Sequence, residues 1–234
     1  MTLPIGLRSL GVVELSLPAT ALADSRVAKR ARDRGLAVEV RTGADLITAI
    51  GVGIHPMCLI VYADRMTADE LVFCTANLGV GRIVVTTTDQ VDLLVSATVA
   101  HRRQRVLVGM TRVADDKMVD AVVAGRRLDL VGLACEIGSG EDAFVSYPAA
   151  MGDMLAEMAQ IRRAHSIVLT RVAISGDGFA VDETPGGLSE LAELIDQTLD
   201  DACATLRFPR PVAMVTAQPA GTRRQPCTAD LHRT

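Results

Sequence analysis

Apolar runs of five to eight residues recur eight times along the chain, separated by longer stretches whose apolar positions repeat at helical spacing. The runs fall at 12–17, 37–41, 58–62, 82–86, 105–110, 128–135, 167–174 and 212–217. They are rich in Val, Ile and Leu and are apolar on both faces, the pattern of parallel strands covered by helices. The intervening stretches predict helices over 25–34, 44–50, 68–78, 88–101, 114–124, 148–164 and 188–206. Thr67 with Glu70 has capping-box spacing, Thr88 and Asp116 are start signals, and Gly35, Gly51, Gly79 and Gly125 stand where helices should stop. Eight strands joined by helices complete a closed ring, so the expectation is α/β, a (β/α)8 barrel over 12–219.

No periodic apolar segment follows the eighth run. Residues 1–11 are read as an N-terminal segment, and 220–234, with Gly221, Pro226 and three arginines, as a flexible tail. A final helix is therefore expected to be missing. Val12, Leu15, Val212 and Met214 would then keep part of their outward surface in reach of water and invite a second copy or a partner.

Composition narrows the function classes. Of 234 residues 49% are hydrophobic, with six aromatics and no tryptophan, so a large core must be built from aliphatic side chains and Met. Met151, Met154 and Met158 share one helix face and read as core. A formal charge of −4 with no basic stripe argues against nucleic acid as a partner. Cys58, Cys74, Cys135, Cys203 and Cys227 lie far apart without a CxxC pair, which fits reduced thiols and a cytoplasmic location. Arg8, the apolar run 10–17 and the small residues 19–23 imitate a secretory signal, but Glu14 interrupts the run and the first strand needs it. No run reaches the ~18 apolar residues of a membrane span. The four histidines are scattered, and neither a metal site nor a GxSxG elbow is found.

The segment Val131-Gly132-Leu133-Ala134-Cys135-Glu136-Ile137-Gly138-Ser139 runs from an apolar strand into a Gly-Ser turn. It resembles the Gly-Leu-x-x-His-Ile-Gly-Ser signature of pyridoxal-phosphate-dependent fold-type III decarboxylases, the diaminopimelate, ornithine and arginine decarboxylase family with its alanine-racemase-like barrel. The resemblance extends along most of the chain. Residues 39–46, Glu-Val-Arg-Thr-Gly-Ala-Asp-Leu, stand for the family's Asp-Val-x-Ser-x-x-Glu-Leu, and Glu70-Leu71 keeps a Glu-Leu helix start whose preceding lysine is lost. The run 81–86 matches the fourth strand, with Thr86 in place of aspartate, and Gly109 replaces an arginine in the fifth.

The resemblance also implies a cofactor site, and the chain departs from it at the decisive positions. Ser139 matches the family's phosphate-binding serine. The run Ser175-Gly176-Asp177-Gly178-Phe179 stands for its Gly-Gly-Gly-Phe phosphate loop, with Asp177 placing a carboxylate beside the expected dianion. Thr20 occupies the position of the Schiff-base lysine, and a threonine forms no imine. The only lysines are Lys29 and Lys117. Gln218 replaces the carboxylate that keeps the pyridine nitrogen protonated, Gly221 the phosphate-binding arginine, and Glu136 the histidine that stacks on the ring. The family's C-terminal β-domain has no counterpart.

The expectation is a degenerate homologue that retains weak binding of phosphate or a small phosphate-bearing ligand, with Ser139, Gly176, Gly178 and Gln218 as the cofactor-side residues and no decarboxylase activity. Two alternatives stay open. One is an active lyase acting on an amino-acid-like substrate through Glu136, Asp177 and Asp64. The other is a non-catalytic interaction protein, pairing through the uncovered flank with itself or with a related enzyme.

Overall fold

A computed structural model of the chain describes residues 13–110, 116–138, 146–176 and 185–216. Eight parallel strands close into a barrel in sequential order: β1 (Val13–Pro18), β2 (Ala37–Val40), β3 (Leu59–Tyr62), β4 (Arg82–Val85), β5 (Gln104–Met110), β6 (Leu128–Ile137), β7 (Arg171–Gly176) and β8 (Val212–Thr216). Closure is made by β1 against β8, with Val13 opposite Ala213 and Ser16 opposite Thr216. Between the strands run α1 (Ser25–Arg34), α2 (Gly43–Gly51), α3 (Ala68–Val72), α4 (Thr88–Ala97), α5 (Asp116–Ala124), α6 (Tyr147–His165) and α7 (Pro185–Leu206).

Alternation along each strand divides the apolar residues into two clusters. Outward residues such as Val38, Val61, Val85, Val106, Leu133, Val172 and Val215 pack beneath the helices, together with Met151, Met154 and Met158 of α6. Inward residues form a small plug inside the barrel: Ile60, Tyr62, Val84, Leu107, Ala134, Ala173 and Met214. Polar and charged side chains lie above and below this plug.

Several elements depart from the sequence expectation for local reasons. The seventh strand starts at Arg171, not at 167, because α6 ends on Ser166 in the left-handed region (φ 57°) and the chain joins the sheet only after Thr170 N–H bonds the Val131 carbonyl. The cap of α4 is Thr87 instead of Thr88: its hydroxyl accepts from Gln90 N–H, and the Gln90 side chain accepts from Thr87 N–H. The third helix is α-helical only through Val72 and continues as a π-helix over Phe73–Leu78. An extra residue in β6 opposite Val106 and Leu107 makes a bulge, next to which Gly132 lies so close to β7 that a Cβ would sit 2.0 Å from the Arg171 carbonyl oxygen.

The flank between β1 and β8 also differs from expectation. Leu15 is 7% exposed, and Val13, Ala213 and Val215 are no more than 1% exposed. Met214 does not face outward at all; it belongs to the inner plug. Of the four residues on which a flank partner was expected, Leu15 is buried and Met214 faces inward, Val212 is half-buried, and Val12 lies outside the described residues. The expectations about 1–12 and about a missing helix after β8 lie outside the described residues. Among the described residues no helix is long and apolar enough to cross a membrane.

Candidate functional site

The C-terminal ends of the strands form one mouth, the end of a (β/α)8 barrel at which strand-end side chains converge. Three of the strand-to-helix turns entering it are fixed by reciprocal capping boxes: Thr42 with Asp45, Thr67 with Glu70, and Thr87 with Gln90. Within the mouth, Ser16 of β1, Glu39 of β2, Tyr62 of β3, Glu136 of β6, Ser175 of β7 and Thr216 of β8 come together, joined by Arg41 just beyond β2. Ser16, Glu39, Ser175 and Thr216 are all buried.

Glu39 is the hub. Its Oε1 accepts from Tyr62 Oη at 3.1 Å and from Thr216 Oγ1. Ser16 Oγ lies 3.1 Å from Thr216 Oγ1 and also donates to the Val215 carbonyl at 3.5 Å. Arg41 crosses the mouth above them. Its Nη1 donates to Glu136 Oε1 at 3.1 Å, its Nη2 donates to Ser175 Oγ at 2.9 Å and lies 3.7 Å from Glu39 Oε2, and its Cζ stands 4.1 Å from the centre of the Tyr62 ring. A guanidinium held by two carboxylates, a hydroxyl and an aromatic face uses its planar fork fully.

The electrostatics follow from the placement. Burial pushes the Glu39 carboxyl up from its usual range, and the Thr216 bond, the Arg41 charge and the Tyr62 bond only partly offset that. Burial and the neighbouring Glu39 hold the Tyr62 phenol well above its ordinary value, so it stays protonated and serves as a donor. Burial opposes the charge on Arg41, but Tyr62, Glu39, Glu136 and Asp64 outweigh it and strengthen its hold on the proton.

The sequence-predicted residues distribute unevenly around this network. Thr20 lies in a 3-10 turn (Ala19–Ala23) directly after β1 and is exposed. Glu136 is at the mouth as expected, yet its partner is Arg41. Gly176 ends β7 with φ 122°, and a Cβ there would sit 2.0 Å from the Ile137 carbonyl oxygen, so strand packing alone requires the glycine. Asp64, in the 3-10 turn Ala63–Arg65, is exposed, with its nearest ion pair to Arg65 at 3.8 Å. Lys29 pairs with Asp33 on the outer surface of α1, and Lys117 is exposed in the first turn of α5. Ser139, Asp177, Gly178 and Gln218 lie outside the described residues.

Glu39, Arg41, Tyr62, Ser16, Ser175 and Thr216 were not singled out by the sequence as a site. The available signal was a polar residue at an inward position of an otherwise apolar strand, as at Ser16, Glu39 and Ser175. Pairing them required knowing which strand ends meet.

A Schiff-base cofactor does not fit these residues. Imine formation needs an amine at the mouth, and the position after β1 carries a hydroxyl. The space above Glu39 is spanned by Arg41, whose guanidinium already meets Glu136, Ser175 and the Tyr62 face.

The molecule is thus a (β/α)8 barrel with a polar, charge-paired C-terminal mouth. Its fold is that of the barrel in amino-acid decarboxylases. Diaminopimelate decarboxylase from M. jannaschii superposes with a TM-score of 0.69 at 13% identity over 88% of this chain and 53% of that one. The Paramecium bursaria Chlorella virus arginine decarboxylase bound to agmatine gives 0.66 at 14% identity, over 88% and 58%. Lysine decarboxylase from Selenomonas ruminantium gives 0.68 at 18% identity, over 90% and 56%. The chain spans little more than half the length of these proteins. No protein-family model and no curated protein sequence matches it.

Proposed function

We propose that this chain is a decarboxylase-type barrel without decarboxylase activity, whose mouth holds a non-covalent polar site where the similar enzymes carry a Schiff-base cofactor. One observation carries the reading: Arg41 bridges β2 to β6 and β7 across the mouth. The sequence resemblance supports it by setting Thr20, in the turn after β1, against the lysine of those enzymes. The retained backbone and the lost amine together separate the scaffold from the chemistry. Weak binding of a phosphate-bearing ligand by Ser139, Gly176, Gly178 and Gln218 belongs to the same proposal.

The test is incubation with pyridoxal phosphate followed by borohydride and peptide mass analysis. The expected result is no stoichiometric reduced-lysine adduct and no aldimine absorbance. A stoichiometric adduct on Lys29 or Lys117 overturns the reading. A second reading, an enzyme working without that cofactor on an amino-acid-like substrate, draws support from Glu39, a buried carboxyl with raised proton affinity beside Tyr62. Turnover of any amino acid that is abolished by Glu39→Gln would favour it.

A further inference from the structure

The opposite, N-terminal end of the barrel carries a second charged layer that the mouth does not use. Below the apolar plug, Arg82 reaches across the barrel from β4 to Met214 Sδ on β8, and its Nη1 lies 3.8 Å from Glu14 Oε2 of β1. Arg171 of β7 donates from Nη1 to the same Glu14 oxygen at 2.8 Å. Arg105 of β5 stands two residues before the inward Leu107, hence on the inner face, and its charge is felt by Arg82. The acidic residues facing this floor are Glu14 and Asp129, the latter opposite Arg105 in register on β6. Cys58, before β3, is the remaining titratable neighbour of Arg82.

Three guanidiniums therefore face two carboxylates, and the two arginines that share Glu14 share a single oxygen of it. The Arg82 side chain is only 15% exposed, so its surplus charge is not dispersed into solvent. Burial and the like charge of Arg171 both weaken its hold on the proton. Glu14 and Arg171, with 34% and 27% of their side chains exposed, leave the floor open to small solutes. The surrounding rim adds to the positive potential: Arg102, Arg103 and Arg127 donate to the carbonyls of Gly79, Leu128 and Thr98, bonds that fix guanidiniums without neutralising them.

We propose that the barrel floor is an oxyanion-binding site, in which Arg82, Arg105 and Arg171 hold a small multivalent anion of the phosphate class. Such an anion restores the charge balance that Glu14 and Asp129 leave incomplete, and guanidiniums are the donors best matched to its oxygens. The site lies at the far end of the barrel from the mouth and does not depend on the function proposed there.

The test measures inorganic phosphate binding to the full chain by equilibrium dialysis, with melting temperature followed in parallel in chloride buffer. A saturable floor site is expected, tighter than the weak binding proposed for the mouth, with a rise in melting temperature. Arg105→Ala, at an exposed position, should weaken binding about ten-fold while the phosphate-free melting temperature does not fall below that of wild type. Arg171→Gln should weaken it at least as much, and Arg41→Gln at the mouth should leave it unchanged. Absence of saturable binding overturns the proposal. So does equal binding by wild type and Arg105→Ala, which would mark an adventitious ion only, and so does a loss confined to Arg41→Gln, which would place the anion at the mouth.

Discussion

Glu39 sets the most specific expectations at the scale of single residues. Burial raises its carboxyl above the ordinary value of 4.5, so between that value and the raised one the folded chain holds a proton that the unfolded chain releases. Stability must then fall as pH rises through this window. Glu39→Gln keeps an acceptor for Tyr62 and Thr216 and should flatten that part of the melting-temperature profile; a profile identical to wild type would show that Glu39 does not titrate there. Cys74 and Cys135 give a second test. Burial holds their thiols up at about 11 and about 12, so at neutral pH neither should react with a thiol reagent until the chain unfolds. Gly176 gives a third. A side chain there meets both φ 122° and the Ile137 carbonyl, and Gly176→Ala should cost ~1–3 kcal/mol in chemical denaturation whether or not any anion binds.

Strand-to-helix turns show how the similarity to decarboxylases operates at the scale of elements. The run 39–46, which resembles a family motif, keeps its Thr42–Asp45 pair as a capping box, with Thr42 Oγ1 accepting from Asp45 N–H at 3.2 Å and Asp45 Oδ2 accepting from Thr42 N–H at 3.1 Å. The Thr67–Glu70 box does the same ahead of α3. Both runs therefore fix the start of a helix, and with it the position of the mouth. Thr42→Ala should lower stability by about 1 kcal/mol in urea unfolding and loosen Arg41, whose own N–H bonds Asp45 Oδ2. An unchanged midpoint would mean that the packing of Leu46 and Ala49 alone holds α2 in place.

The two ends of the barrel have different electrostatic tasks at the scale of the whole molecule, and the apolar plug keeps them apart. The mouth sets two carboxylates, Glu39 and Glu136, around the one guanidinium of Arg41, whereas the floor carries surplus guanidinium. The β1–β8 seam between them is core. Leu15→Ala should cost ~2–5 kcal/mol, and the loss should be independent of protein concentration. A concentration-dependent loss would show that this flank takes part in an interface.

Strand and helix periods, the stop glycines Gly35, Gly79 and Gly125 and the Met face of α6 were legible in the sequence because they reflect local geometry and one-sided burial, whereas Gly51 is the last helical residue of α2 and the left-handed glycine there is Gly53. The count of eight strands was legible too, and with it the closed barrel. The expectations for Thr20 and Glu136 came from a pattern local in sequence; the structure places Glu136 at the mouth and Thr20 exposed in the turn after β1. The Glu39–Thr216 and Arg41–Ser175 bonds join residues far apart in the chain, and no local rule relates such positions. Barrel closure alone decides which strand ends meet. Met214 makes the same point: its apolar side chain suits either face of a strand, and only the register of β8 against β1 and β7 turned it inward, toward Arg82.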